Sequence, residues 1–174
     1  MTKSDSSITW QYGLFDQLSS SQVHAILQQR QTIFILEQQC FYPDIDNTDL
    51  VAGHLVGWSH SIEANLEVAG YLRIMAPGVC YPEVSVGRVL VSEKMRGGGL
   101  GLELMNRGLA VAAEIFPQSN IRISAQHYLE KFYHSLGFTT LSGVYDEDGI
   151  PHIDMMLNPA HFDLKTFDVP TQIL

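Results

Sequence analysis

"RVLVSEKMRGGGLGLELM", residues 88–105, joins an alternating apolar run to three consecutive glycines and then to a leucine-rich segment. A single cation, Arg96, stands at the junction, directly before Gly97, Gly98 and Gly99. The pattern predicts a strand that turns tightly into a helix. The first four N–H groups of a helix have no intrahelical partner, and the helix dipole places about half a positive charge at that end. Glycines there carry no Cβ to keep a ligand from the backbone and accept positive φ, while Arg96 adds a permanent charge with a fixed fork of donors. Either the glycines only make a tight turn or they hold an anion. Gly101 and the adjacent arginine favour the anion.

Working outward, Leu100, Leu104, Val111 and Ile115 form one helical stripe, with Glu103 and Arg107 spaced i,i+4 on the polar side, and Phe116-Pro117 ends the helix. Upstream, "GHLVGWS", "LEVAGYLRIM" and "EVSVGRVLVS" read as three consecutive strands, hence an antiparallel meander. Before them, "ITWQYGLF" predicts a first strand. Ser19 and Gln22 have capping-box spacing, which starts a helix over 20–36. "QQCFYPDIDNTDL" is an acidic loop broken by Pro43. Downstream, "IRISA" is a short buried strand. Leu129, Phe132, Tyr133 and Leu136 then fall at helical intervals before Gly137, a left-handed cap. Asp148-Gly149 is a hairpin turn between two β runs.

The chain has 174 residues and a net charge of -9, a single domain by length, with residues 1–7 expected to be flexible. The negative charge disfavours a nucleic-acid partner. Cys40 and Cys80 are too few for a disulfide framework, and no metal-ligand spacing surrounds them or the histidines, so no metal is expected. No apolar run has the length of a membrane span or a signal peptide, so the expected location is cytoplasmic. The acidic loop also lacks the ligand pattern of a calcium loop: counting from Asp44, positions six and twelve are Asp49 and Leu55.

The glycine segment has neither the Lys-Ser/Thr of a P-loop nor the spacing of a dinucleotide fingerprint. It does carry R-x-x-G-x-G as Arg96, Gly99 and Gly101, directly after a strand. Here the sequence resembles the GCN5-related N-acetyltransferases (GNAT), in which this signature binds the pyrophosphate of acetyl-coenzyme A. The longer segments "FILEQQCFYPDIDNTDL", "LEKFYHSLGF" and "VYDEDGIPHIDM" are similar to the ElaA-type bacterial branch of that family. The resemblance implies an α/β (α+β) fold. Its sheet is mixed and mostly antiparallel, with about six to seven strands that splay between the fourth and fifth, flanked by about four helices. It also implies an acetyl-CoA-dependent N-acetyltransferase that acts on a primary amine by direct transfer. A noncatalytic acyl-CoA sensor would keep the same turn.

The resemblance places the cofactor on Arg96, Gly97, Gly98, Gly99, Leu100 and Gly101. It places the thioester on backbone donors of Val89, Leu90 and Val91, at a bulge in the fourth strand. It maps the proton donor to the departing thiolate onto Tyr133, although an aromatic at that helical position also suits a core. Glu37, at the end of the first helix, is the candidate base, or else a helix-end charge that is paired with Arg30 or solvated. His152 is a second candidate for contact with the acceptor, or a hairpin histidine with no such role. Arg73 and Arg88 lie within strand runs and either face the cleft or snorkel to the sheet edge. Asp44, Asp46 and Asp49 would rim the acceptor site and favour a cationic amine, unless they form a solvated turn. The acceptor itself and the oligomeric state, a homodimer included, stay open.

Overall fold

In the computed structural model, which describes residues 8–60 and 66–161, the alternating runs become strands of one eight-stranded sheet. β1 (Ile8–Leu14), β2 (Gly53–His60), β3 (Leu66–Met75) and β4 (Val84–Val91) pair antiparallel in chain order. β5 (Ile121–Gln126) joins β4 in parallel. β8 (Ile150–Leu157) lies between β5 and the two-residue β6 (Thr139–Thr140), and β7 (Tyr145–Glu147) forms the expected hairpin with β8 across Asp148 and Gly149. The mixed, mostly antiparallel sheet is the expected one. β6 exceeds the anticipated strand count because two threonines give no periodicity to read. Residues 1–7, expected to be flexible, lie outside the described residues.

Helices cover both faces of the sheet, and β3 is therefore buried at every position from Val68 onward. α2 (Leu100–Ile115) packs Leu104, Met105 and Leu109 against Leu55, Leu72 and Ile74. Gly108 is required there, because a Cβ would lie 2.5 Å from Leu72 Cδ2. On the opposite face α1 (Ser20–Arg30) sets Ile26 against Val56, Trp58 and Tyr71. The predicted capping box is present: Gln22 N–H donates to Ser19 Oγ at 3.2 Å, and Ser19 N–H to Gln22 Oε1 at 2.9 Å. Past Arg30 the helix widens into π turns over Gln31–Glu37, closed by Gln38 N–H on the Ile33 carbonyl at 3.2 Å. α3 (Glu130–Ser135) follows β5 and ends at Gly137, whose φ of 91° is the left-handed cap. Three α-helices, rather than four, flank the described sheet. None is long and apolar enough to cross a membrane.

The loop between the π turns and β2 holds one 3-10 turn, Asn47–Leu50, and is fixed by charge rather than by backbone ladders. Arg30, fully buried at the end of α1, donates from Nε to Asp44 at 2.9 Å and from Nη1 to Asp49 at 2.6 Å. Arg73 of β3 bonds Asp49 at 2.8 Å and Asp46 at 2.9 Å. Arg88 of β4 lies 2.6 Å from Asp44 and 3.8 Å from Asp46. Three arginines and three aspartates thus alternate around a closed ring. Neither strand arginine snorkels to the sheet edge, because both are held inside by this loop.

The ring predicts an unequal mutational response. Asp49 touches two guanidiniums at 3% exposure, so Asp49→Asn leaves buried positive charge uncompensated and should cost about 3–5 kcal/mol in a urea titration. Asp46→Asn, at a side chain 37% exposed, should cost under about 1 kcal/mol. Acid should act on the same groups. Burial pushes the Asp46 carboxyl up, but hydrogen bonds from Arg73 and Thr48 overrule it and hold it down at about 2; Asp49 is also held low, by Arg30 and Arg73 against the same burial. A carboxyl depressed in the folded state gives its full stabilisation above its unfolded value near ~4 and loses it as pH falls toward the folded value. Stability should therefore decline between about pH 4 and 2, and less steeply in Asp46→Asn.

Candidate active site

β4 and β5 share only two residue pairs, Val84 with Ile121 and Ser85 with Arg122, and then diverge. A cavity of about 360 Å³ opens in the gap, between residues 85–89 of β4 and 123–126 of β5. Phe34 and Gln38 from the π turns, Tyr42 from the acidic loop, Tyr133 from α3 and His152 from β8 complete its wall. Ser85 Oγ, at the floor where the strands part, is buried with no hydrogen-bond partner among the described residues. A bound polar molecule can satisfy it.

β4 carries a bulge at this wall. Arg73 pairs with Gly87 and Tyr71 with Leu90, so Leu72 alone faces both Arg88 and Val89. Arg88 takes a φ of +52°, an uncommon conformation for a non-glycine residue, and its guanidinium sits 5.3 Å from the Tyr42 ring centre and 6.0 Å from that of Phe34. Leu90 and Val91 stay in register with β3, so Val89 is the expected donor residue that the bulge frees from that ladder.

The glycine turn follows. Gly97 and Gly99 have φ of 79° and 87°, which only glycine adopts without strain, and Gly99 is the N-cap of α2. A Cβ at Gly97, Gly98 or Gly99 would meet nothing within 4 Å, and the first N–H groups of α2 lie beyond the reach of its own carbonyl ladder. Gly101 faces Val91, 3.7 Å from where its Cβ would be. The turn combines open space and a helix N-terminus, two physical requirements of an anion site. Arg96 is engaged elsewhere: Nε donates to the Val91 carbonyl at 3.1 Å, while Nη1 and Nη2 fork onto the two oxygens of Glu37 at 2.8 and 2.9 Å.

Glu37 therefore pairs with Arg96, not with Arg30, and it does not line the cavity. Arg30 is consumed by the ring. Sequence spacing favours the nearer arginine, whereas the folded chain brings together residues 59 positions apart. Tyr133 does line the cavity, at 6% exposure, edge-on to Phe132 and Phe138 at 5.1 and 5.8 Å between ring centres. Its hydroxyl has no hydrogen-bond partner among the described residues, and burial pushes its pKa up to about 12. His152 also lines the cavity, with Nδ1 2.8 Å from the Ile150 carbonyl and its ring stacked on Tyr145.

The acidic loop is a correction. Its aspartates are matched one for one by Arg30, Arg73 and Arg88, so it presents no surplus of negative charge to an acceptor, and none of the three lines the cavity. Sequence reasoning missed Ser85, Ser124 and Glu147 in the wall, and Cys40, whose thiol donates to the Asp148 carbonyl at 3.3 Å and ties this loop to the β7–β8 hairpin. Alternation in β5, where Arg122, Ser124 and Gln126 share one face, could have flagged Ser124, and Ser85 stands as a lone hydroxyl in the apolar first half of β4.

A sheet that splays between a bulged strand and its parallel neighbour, beside a glycine-capped helix, defines an acyltransferase class. The sequence pattern of the acetyltransferase (GNAT) domain family matches residues 22–159, and the chain belongs to that family. Within it, the chain is 41% identical to protein ElaA of Escherichia coli strain K12 over 150 residues, 85% of this chain and 95% of ElaA. The crystal structure of Escherichia coli ElaA superposes with a TM-score of 0.79 at 38% identity, covering 87% of this chain and 100% of that one. An acyl-CoA N-acyltransferase from Pseudomonas aeruginosa gives a TM-score of 0.80 at 35% identity, with the same coverage.

The unpartnered hydroxyl of Tyr133 sets a stability expectation. Tyr133→Phe keeps both edge-on ring contacts and removes no hydrogen bond, so its melting temperature should match the parent's within about a degree or two, equivalent to under ~0.5 kcal/mol. Tyr133→Ala empties a core position and should cost about 3–5 kcal/mol. Differential scanning calorimetry on the two variants checks both.

Proposed function

We propose that the protein transfers an acetyl group from acetyl-CoA directly to a primary amine, with both substrates bound together. One observation supports this reading: the β4–β5 splay opens a single cavity walled by polar groups and Tyr133, and the strand on one side of it leads into an open glycine turn at the N-terminus of α2. In this proposal Arg96 and residues 97–101 hold the pyrophosphate, and the β4 backbone at Val89, Leu90 and Val91 receives the thioester. No metal takes part.

The amine nitrogen attacks the thioester carbon, so a C–N bond forms and the C–S bond breaks. Tyr133 gives its proton to the departing thiolate. A phenol at about 12 stays loaded at every working pH and donates only as negative charge builds on sulfur. His152 stands in the wall where the acceptor would lie. Glu37 takes a different role from the one its position in sequence implies. Its carboxylate occupies the fork of Arg96 that a phosphate would use, so it competes with the cofactor.

A thioester-consumption assay across a panel of primary amines tests the reaction, and acetyl-CoA binding without turnover on any amine would favour the sensor reading. With a confirmed acceptor and saturating acetyl-CoA, Tyr133→Phe should lower kcat by at least about tenfold, since a positioned acid contributes about 10²- to 10⁴-fold. An unchanged kcat returns Tyr133 to the core.

Gly98 provides a separate test of cofactor binding, because its φ is not positive and the space around it is open. Gly98→Val should leave stability within about 0.5 kcal/mol and weaken coenzyme A binding, measured by calorimetry, by at least about tenfold. Glu37→Ala should tighten that binding and preserve kcat. A collapse of kcat with unchanged affinity would make Glu37 the base instead.

A further inference from the structure

One chain of polar side chains in the cavity wall is left unused by this scheme. Ser124 on β5 lies with Oγ 2.7 Å from Tyr145 Oη and donates to Glu147 Oε2 at 2.8 Å; Tyr145 Oη donates to Asp154 Oδ1 at 2.9 Å. Arg122 anchors the far end, Nη2 to Asp154 Oδ2 at 2.7 Å. Ser124 and Glu147 line the cavity, and Glu147 is also open to solvent.

The protons in this chain do not match its contacts. Three oxygen–oxygen contacts are served by two hydroxyl hydrogens, so with both carboxylates ionised one short contact has no hydrogen between its oxygens. Asp154 already accepts from the Arg122 guanidinium at 2.7 Å. Burial pushes the Tyr145 phenol up to about 12, so it does not release its proton. A third proton can enter at Glu147, the carboxylate of the chain that lines the cavity and is open to solvent. Once there, Glu147 donates to Ser124, Ser124 to Tyr145 and Tyr145 to Asp154, and every contact is filled.

We propose that Glu147 is the general base of the cavity, with Ser124, Tyr145 and Asp154 as positioning residues that complete their hydrogen bonds when it takes up a proton. The proposal rests on the acyltransferase reading above. As the C–N bond forms, the nitrogen's proton passes to the Glu147 carboxylate. The electron pair of the broken C–S bond leaves on sulfur, which takes the Tyr133 proton. Glu147 then returns its proton to solvent, and Tyr133 regains one. The other titratable groups around Glu147 are Tyr81, Cys80 and Glu83 from the loop before β4, Arg122 on β5, Asp146 and Tyr145 on β7, Asp148 in the turn, and His152 and Asp154 on β8.

Glu147→Gln is the decisive variant, because its amide N–H₂ donates to Ser124 as a protonated carboxyl would but accepts no proton. With a confirmed amine acceptor, kcat/KM at neutral pH should fall at least about tenfold. The loss should shrink as pH rises and the free amine becomes abundant, while acetyl-CoA affinity by calorimetry stays at the parent value. Tyr145→Phe cuts the chain and should shift the rising limb of the kcat/KM profile, with the KM for acetyl-CoA unchanged. An active parent whose Glu147→Gln variant keeps the parental rate and profile overturns this proposal and leaves acyl transfer standing. A parent that binds acetyl-CoA and acylates no amine overturns the acyltransferase reading, and this proposal with it.

Discussion

The alternating ring of Arg30, Asp44, Arg88, Asp46, Arg73 and Asp49 is the constraint on which the site depends. It joins the end of α1, an otherwise irregular loop and two central strands. Burying so many charges is costly, and the cost is offset only where each ion is neutralised and hydrogen-bonded. Alternation supplies the neutralisation: every carboxylate touches two guanidiniums and the ring sums to zero, although Asp49 Oδ2, Arg73 Nε and Arg88 Nε are buried without a hydrogen-bond partner among the described residues. Because the ring needs all three strand and helix positions at once, it fixes the loop carrying Cys40 and Tyr42, and with it one side of the cavity. The uncommon backbone of Arg88 is held in the same way, by its aspartate partners and the two aromatic rings beneath it.

β4 does two jobs that ordinarily exclude each other. On one side it is a central strand bonded to β3; on the other it is an edge, since β5 leaves it after two pairs. An open edge normally invites aggregation. Here it is turned inward, under the π turns and α3, where an extended ligand can take the place of the missing strand. The bulge frees Val89 at that edge without breaking the ladder on either side. The glycine turn begins at Gly97, six residues past the end of β4, so a ligand following the strand meets the N-terminus of α2.

Elements whose signals are local were legible in the sequence: the capping box at Ser19, the hairpin at Asp148 and Gly149, the cap at Gly137, and the strand, glycines and helix of residues 88–105. Family resemblance added the splay, which no periodicity shows. The charged groups were read poorly, because a carboxylate's partner is chosen in space. Glu37 has Arg30 one helical face away and takes Arg96 instead; the acidic run looks like a solvated rim and is a neutralised interior. The chain from Glu147 to Asp154 was equally hidden. Its members come from three strands whose registry is set only when the sheet forms.

The strand order carries a consequence for how the chain acquires its shape. β8 is the last strand in sequence among the described residues and an interior one in space, bonded to β5, β6 and β7. The meander from β1 to β4 closes on near neighbours and can assemble early. The second half has no sheet of its own until residues 150–157 arrive, and it is stitched to the first by two residue pairs. During synthesis, an N-terminal half with its β4 edge bare must wait for a segment made late, a non-local pairing of the slow kind. The opening that admits a ligand in the finished protein is thus, for a nascent chain, its most exposed seam.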